Sequence, residues 1–438
     1  MLQRESVMLG FERLRVWAGV TVVALCLSGC GGRATGLMRP VSVVDVPGVT
    51  VIPVLVTTMR RSSPDDAILF TGERSLHVSY AEIGVSIPPD HKPGEIEWPE
   101  RAPGDPAKTF VTASVTRLDT AEFKSALDRQ LARRQKNRVL VFVHGYNNKF
   151  DDAVYRFAQI EKDSQAPTVP VLFTWPSAGK LLAYPYDRES ANFSRSGLER
   201  VLQSLVDDPN VKEVAILAHS MGNWVTLEAL RQMAIRHGAV PPKIAQVMLA
   251  APDVDVDVAR TQVDDMGPHR PHFTLFVSQD DRALAASKRF WGSRDRLGSI
   301  DPDKEPYRSA IERLGVTVID LTKLKGGDSL NHGKFAESPQ VVQFIGTELA
   351  SDKGISAPSG GLGSGVGGLI AGVTSTAAGV AAAAVEAPAA VVDSSARADL
   401  SERLQSVVPG TSEEEPQGLA DGDEPATKPK RDSKRPSQ

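Results

Sequence analysis

Ser220 is the residue around which chemistry can be assembled. It stands in Ala218-His219-Ser220-Met221-Gly222, between the apolar run Val214-Ala215-Ile216-Leu217 and a helical pattern that opens at Asn223 and Trp224. A serine on a sharp strand-to-helix turn, with small residues two before and two after it, is presented as a nucleophile. Ala218 occupies the place where glycine is usual and keeps the small size. Such a serine needs a base to take its proton, an acid to orient the base, and donors for the developing oxyanion.

In this kind of turn the acid and then the histidine follow the serine along the chain. The chain has eight histidines, and those after Ser220 are His237, His269, His272 and His332. His237 ends the helix after the turn, far from the serine. His269 and His272 lie among prolines at the amino end of a strand, on the wrong side of the sheet. His332 lies in the polar loop Asp328-Ser329-Leu330-Asn331-His332-Gly333, after the apolar run Val316 to Leu321, where the base belongs. The acid is open among three aspartates. Asp281 and its neighbour Asp280 follow the strand Phe273 to Ser278, and Asp253 follows the strand before it. Asp281 is favoured, although it also precedes Arg282-Ala283-Leu284, where a helix cap would give it a purely structural role.

The turn itself offers the Met221 N–H to an oxyanion. A second donor belongs in the loop after an earlier strand. Val143-His144-Gly145-Tyr146-Asn147-Asn148 is such a loop, with Gly145 permitting close approach and Tyr146 supplying its N–H. His219 is expected to be structural. Trp175-Pro176-Ser177 is expected either to line an acyl pocket or simply to pack. Tyr184, Tyr186, Asp187 and Arg188 read as a solvated loop, with a substrate-side rim as the alternative.

The elements that must position these residues alternate. Apolar runs at 139–143, 169–174, 214–218, 244–250, 273–278 and 316–321 suit strands buried on both faces. Helical patterns at 120–135, 151–162, 192–206 and 223–236 lie between them. The pattern predicts an α/β fold, a mainly parallel sheet flanked by helices, with its ligand site at the carboxyl ends of the strands. Residues 47–118 are strand-rich, with runs at 49–57, 77–80 and 110–115, and are expected to extend that sheet as antiparallel edge strands.

The set Phe142-Val143-His144-Gly145-Tyr146-Asn147, Thr174-Trp175-Pro176-Ser177, Ala218-His219-Ser220-Met221-Gly222-Asn223, Ala251-Pro252-Asp253 and Ser278 to Leu284 resembles a largely uncharacterised bacterial α/β-hydrolase family of esterase and lipase type. The resemblance covers residues 47–350. It implies the α/β-hydrolase fold, no cofactor, a small-molecule or lipid ester as substrate, and Ser220, Asp281 and His332 as the triad. The loop Leu330-Asn331-His332-Gly333 is its weakest match.

The ends of the chain address where this chemistry would occur. Arg13 and Arg15 precede the apolar run Val16 to Leu27, which closes in Leu27-Ser28-Gly29-Cys30. A basic flank, a short apolar core and small residues make a secretory signal over residues 1–29. Its end resembles the lipobox of bacterial lipoproteins, in which Cys30 becomes the lipidated first residue; an uncleaved anchor helix is the alternative. Gly31 rather than aspartate after Cys30 implies the outer membrane, on its periplasmic face. The only other cysteine, Cys26, is discarded with the signal, so no disulfide is expected. Residues 30–46 read as a tether. Residues 351–438 combine an uncharged Gly/Ala-rich segment, read as a linker rather than a membrane-associating helix, with a disordered polar tail.

A net charge of −4 over 438 residues offers no electrostatic case for nucleic acid. Metal-ligand and phosphate-cradling motifs are absent from the sequence. The expectation is therefore an envelope-anchored serine esterase. An acyltransferase using the same triad and a non-catalytic binding protein are the alternatives.

Overall fold

The computed structural model describes residues 34–351, except 135–136, 293, 325–327 and the side chain of Trp291. Residues 1–33, which hold the expected signal with Cys26 and the expected lipidation site Cys30, and the segment after 351 lie outside the described residues. Nine strands form one sheet: β1 (Thr50–Ser62), β2 (Phe70–Ile87), β3 (Val111–Leu118), β4 (Arg138–Val143), β5 (Thr168–Thr174), β6 (Glu213–His219), β7 (Ile244–Ala250), β8 (His272–Val277) and β9 (Thr317–Asp320). Their order is β3-β2-β1-β5-β4-β6-β7-β8-β9. The six strands from β5 to β9 run parallel, and β1 joins β5 in the same sense. β2 is antiparallel to both β1 and β3. This is the α/β-hydrolase fold, extended at one edge by the strand-rich N-terminal part.

Period-two alternation explains why the central strands read as unbroken apolar runs. Val139, Val141 and Val143 of β4 enter one core, together with Val214 and Ile216 of β6. Leu140 and Phe142 enter the other, with Leu217 of β6 and Met248 of β7. Helices α1 (Thr120–Leu131), α3 (Tyr184–Asp207) and α4 (Gly222–His237) cover the first face. Helix α2 (Phe150–Ser164) and the last helix, α9 (Pro339–Ala350), cover the second. The remaining helices are α5 (Val256–Asp265), α6 (Arg282–Trp291), α7 (Tyr307–Leu314) and α8 (Lys334–Glu337).

Two expectations are corrected. β2 spans 18 residues, far beyond the run at 77–80, because its first half is only partly covered and so carries few apolar residues. Residues 184–188 are no solvated loop: they form the first turn of the 24-residue α3. Tyr184, Asp187, Ser190, Ala191 and Ser194 repeat at helical spacing on its buried face, and mostly polar side chains there hide the pattern.

The parallel register aligns the strand ends. Val143 pairs with Phe173 and Ala218, His219 with Ala250, and Val277 with Asp320. Loops leaving β4, β5, β6, β7, β8 and β9 therefore emerge on one side of the sheet, where the order of strands reverses about β4. In the central layer Phe142 is 1% exposed and stacks on Phe157 at 5.2 Å between centroids. Phe142→Ala is expected to cost about 3–5 kcal/mol, read as a lowered urea midpoint. Leu76→Ala, at a side chain 75% exposed, should stay within about 0.5 kcal/mol of the parent.

Candidate active site

The turn between β6 and α4 holds Ser220 at φ +52°, a left-handed conformation that costs a non-glycine residue roughly 1–2 kcal/mol. Neighbours hold it there. The Ser220 N–H donates to the Ala250 carbonyl at 3.0 Å. Its own carbonyl accepts from the Asp253 N–H at 3.2 Å and from Asn223 Nδ2 at 3.0 Å. Ala218 is still within β6, paired with Val143 and Leu249, so its position calls for small size and not for a glycine-only angle. The glycines that matter are at close approaches. A β-carbon on Gly222 would stand 2.4 Å from the His144 carbonyl oxygen, and one on Gly145 would stand 2.8 Å from Ser220 Cβ.

His332 and Asp281 meet across the ends of β8 and β9, with His332 Nδ1 at 2.6 Å from Asp281 Oδ2. Asp281 is 1% exposed, and its other oxygen accepts from the Leu284 N–H at 2.9 Å, capping α6. One carboxylate thus serves as helix cap and imidazole partner together; the two roles do not exclude each other. The loop carrying His332 is tied down on every side. The His332 N–H donates to Asp328 Oδ1 at 2.8 Å, and the Leu330 carbonyl accepts from the Arg282 N–H at 2.9 Å. His219 Nε2 lies 3.3 Å from the His332 carbonyl oxygen, and the His219 ring stacks on Phe335 at 4.5 Å.

The other two aspartates are otherwise engaged. Asp280 pairs with buried Lys334 at 2.8 Å and accepts from Ser278 Oγ and Asn331 Nδ2. Asp253 accepts from Ser287 Oγ at 2.6 Å and Tyr184 Oη at 2.9 Å, and lies 3.4 Å from Arg296 Nε. Among the described residues, Ser220 Oγ and His332 Nε2 share no direct hydrogen bond; contact between the two segments runs through His219. Catalytic hydrogen bonds often tighten only when substrate is bound.

On the other side of Ser220 the loop after β4 is held by an internal scaffold. His144 is fully buried; its Nδ1 donates to the Gly145 carbonyl at 2.8 Å and its Nε2 accepts from the Trp175 N–H at 3.2 Å. Burial and the adjacent Arg60 push its pKa down to about 3, so the ring is neutral. A trans peptide directs its N–H opposite to its C=O. Pinning the Gly145 carbonyl therefore fixes the direction of the Tyr146 N–H. The Ser220 carbonyl, held by Asp253 and Asn223, fixes the Met221 N–H in the same manner. Among the described residues neither of these N–H groups has a hydrogen-bond partner.

Arg60 of β1, 1% exposed, donates to the carbonyls of Asn148 at 2.9 Å and Ser177 at 3.0 Å. Burial lowers its pKa to about 10, against the pull of Asp187, Asp151 and Asp152. Asp187, fully buried, accepts from Ser177 Oγ at 2.6 Å and from the Ala178 N–H at 2.7 Å. Sequence reasoning passes over Arg60, and no spacing points to it: only its burial and the parallel pairing of Thr58 with Thr174 bring it here. Trp175 stacks on His144 at 4.9 Å and is fully buried, so packing, not an acyl pocket, is its setting. His272 bonds Thr317 Oγ1 at the start of β8, and His237 is the last residue of α4. Among the described residues no group of three or more His, Cys, Asp or Glu is placed to hold a metal ion.

Burial opposes protonation of His332, but Asp281, with Asp253 and Asp328 behind it, outweighs burial and raises the pKa above 6.5. Only a neutral imidazole can accept a proton, so any serine reactivity that depends on His332 should rise with pH through a midpoint above 6.5. Asp281→Asn keeps a capping oxygen for Leu284 and removes the charge. We expect the His332 pKa, read by NMR, to fall in this variant, and the midpoint of serine reactivity to move with it. A midpoint unchanged by the substitution would separate Asp281 from the base.

None of the curated proteins matches the chain. Solved structures give loose overlaps. An esterase of Pyrobaculum calidifontis is 11% identical, with 70% of this chain and 86% of that one covered and a TM-score of 0.29. Carboxyl esterase 2 of the fungus Tuber melanosporum is 11% identical, covering 75% and 96%, with a TM-score of 0.33. Overlap at that level assigns neither substrate nor residue role to this chain. The family comparison is direct: residues 119–348 match alpha/beta hydrolase of unknown function (DUF900), and with more than half of its length matched, the chain belongs to that family.

Proposed function

We propose that the chain is a serine hydrolase of carboxylic esters, with Ser220 as nucleophile, His332 as base and Asp281 as the orienting acid. The observation that carries the reading is the 2.6 Å contact between His332 Nδ1 and Asp281 Oδ2, on a loop braced against His219, the residue preceding a serine held at positive φ. In the first step Ser220 Oγ attacks the ester carbonyl while His332 Nε2 takes its proton. The oxyanion accepts from the Met221 and Tyr146 N–H groups. Collapse breaks the bond to the alcohol oxygen, which leaves with the proton from His332. Water then gives its proton to His332 and attacks the acyl-serine, releasing the acid and restoring Ser220. Asp281 stays ionised throughout and stabilises the imidazolium.

Lipid attachment at Cys30 belongs to the same proposal. Several acyl chains, at about 0.8 kcal/mol per buried CH₂, would hold the mature chain at the envelope permanently. Among the described residues no helix is long and apolar enough to cross a membrane.

A fluorophosphonate probe should label the protein at Ser220, and Ser220→Ala should abolish labelling. Ser220→Ala and His332→Ala should each lower kcat on p-nitrophenyl butyrate by about 10⁴- to 10⁶-fold. Folded protein that takes no label would leave a binding protein; product appearing as a transferred ester when an alcohol is added would mark an acyltransferase. Cys30→Ser should move the protein from the membrane to the soluble fraction. Continued membrane association would shift anchoring to another segment.

A further inference from the structure

A cavity of about 130 Å³ opens beside Met221, bounded by Tyr184 and Arg188 of α3, Trp224 of α4, and Asp253 and Arg296. Its position ties it to the chemistry. Met221 carries one candidate oxyanion donor, and Tyr184 packs edge-on against Tyr146, which carries the other, at 5.2 Å between ring centroids. Its volume is that of about four water-sized groups, too little for a long acyl chain.

Charge in the cavity balances by number but not by availability. Three of the four carboxylate oxygens already accept hydrogen bonds. Asp253 accepts from Tyr184 and Ser287 and faces Arg296. Asp255, also in the wall, caps α5 by accepting from the Asp257 and Val258 N–H groups. The guanidinium donors are not used up. Arg296 is 7% exposed, its Nε lacks a hydrogen bond, and its Nη2 reaches only the Ser287 carbonyl, at 3.5 Å. Arg188 is exposed at the mouth and lies over the Trp224 ring at 5.9 Å. Among the described residues it has neither an ion pair nor a hydrogen bond. A hollow with spare donors and occupied acceptors selects an acceptor-rich, negatively charged group.

We propose that this cavity receives a short arm of the ester substrate ending in a carboxylate, with Arg188 as its counter-ion at the mouth and Arg296 as a donor in the wall. The proposal rests on the serine-hydrolase reading and names the substrate class of that site. It places the carboxylate on either side of the scissile bond, within a few atoms of the ester carbonyl.

Two matched pairs of esters test it by pH-stat. Monomethyl succinate against methyl butyrate puts the charge on the acyl side. 3-Acetoxypropanoate against propyl acetate puts it on the alcohol side. In one pair the charged ester should have the higher kcat/KM by about 10- to 100-fold, the range for a charge-assisted hydrogen bond, mainly through a lower KM. Raising the salt should narrow that ratio. Arg188→Gln, at an exposed position that threatens no core packing, should lower the ratio severalfold, Arg296 keeping the remainder. Equal or better turnover of the neutral ester in both pairs overturns the proposal, as does a preference that Arg188→Gln leaves undiminished. Fluorophosphonate labelling of Ser220 in the same samples separates the two layers. Labelled protein without charge preference sinks the carboxylate arm alone, whereas unlabelled protein sinks the hydrolase reading beneath it.

Discussion

The site depends on two peptide planes held by their carbonyls. His144 Nδ1 grips the Gly145 carbonyl, and Asp253 and Asn223 grip that of Ser220. Each grip turns the following N–H, of Tyr146 and Met221, the opposite way. An oxyanion hole works because its dipoles are already aimed, at no reorganisation cost during reaction. In the proposed hole the aiming would be done by hydrogen bonds behind the donors, and it needs the two backbones almost in contact. That requirement is what excludes a side chain at Gly145 and Gly222. The left-handed serine has its compensation too, since its N–H is held by the Ala250 carbonyl and its carbonyl by Asp253 and Asn223, fixing the residue from both sides.

Electrostatics around His332 are divided among three aspartates, each with separate partners. Asp281 is turned to His332, Asp280 to Lys334, and Asp253 to Arg296, Tyr184 and Ser287. The division matters because unpaired carboxylates close to one imidazole would compete for its proton. The Lys334–Asp280 pair sits two residues beyond His332, with Lys334 2% exposed and also bonded to the Leu321 carbonyl. It fastens the far side of the base loop to the end of β9, as Asp328 and His219 fasten the near side. His219 is held neutral by burial, with the neighbouring His332 adding to the effect, so the two imidazoles do not carry charge together.

The parts of this architecture that were legible in the sequence are those fixed by apolar period. The six central strands, the helices between them and the elbow at 218–222 follow from runs such as Val139-Leu140-Val141-Phe142-Val143, whose alternate residues fill opposite cores. Chain order narrowed the candidate base to His332, and strand ends narrowed the candidate acid to three aspartates with Asp281 favoured; that Asp280 pairs with Lys334 and Asp253 with Arg296 is encoded by no local pattern. The start of α3 was illegible for a physical reason: its buried face carries the polar Asp187, Ser190 and Ser194, of which Asp187 and Ser190 are matched by Ser177 and Arg74 outside the helix and Ser194 by the Ser190 carbonyl within it. Arg60 was invisible for the same reason, its acceptors being carbonyls of the loops after β4 and β5 and of Thr71.

The buried Arg60 also links the N-terminal strands to the chemistry. A guanidinium sealed from water is costly unless its donors are met, and here backbone oxygens of two active-site loops and of β2 meet most of them. Asp187 closes the arrangement from α3 by holding Ser177 and the N–H groups of Ala178 and Asn147. The loop that presents Tyr146 is therefore fastened between β1 on one side and α3 on the other. This makes the strand-rich extension part of the framework of the candidate site: removing β1 would leave Asp187 without the nearby Arg60 charge and the Asn148 carbonyl without its donor. Within one turn of α3, Asp187 faces inward and steadies the loop that carries Tyr146, while Arg188, the next residue, faces outward to the cavity mouth.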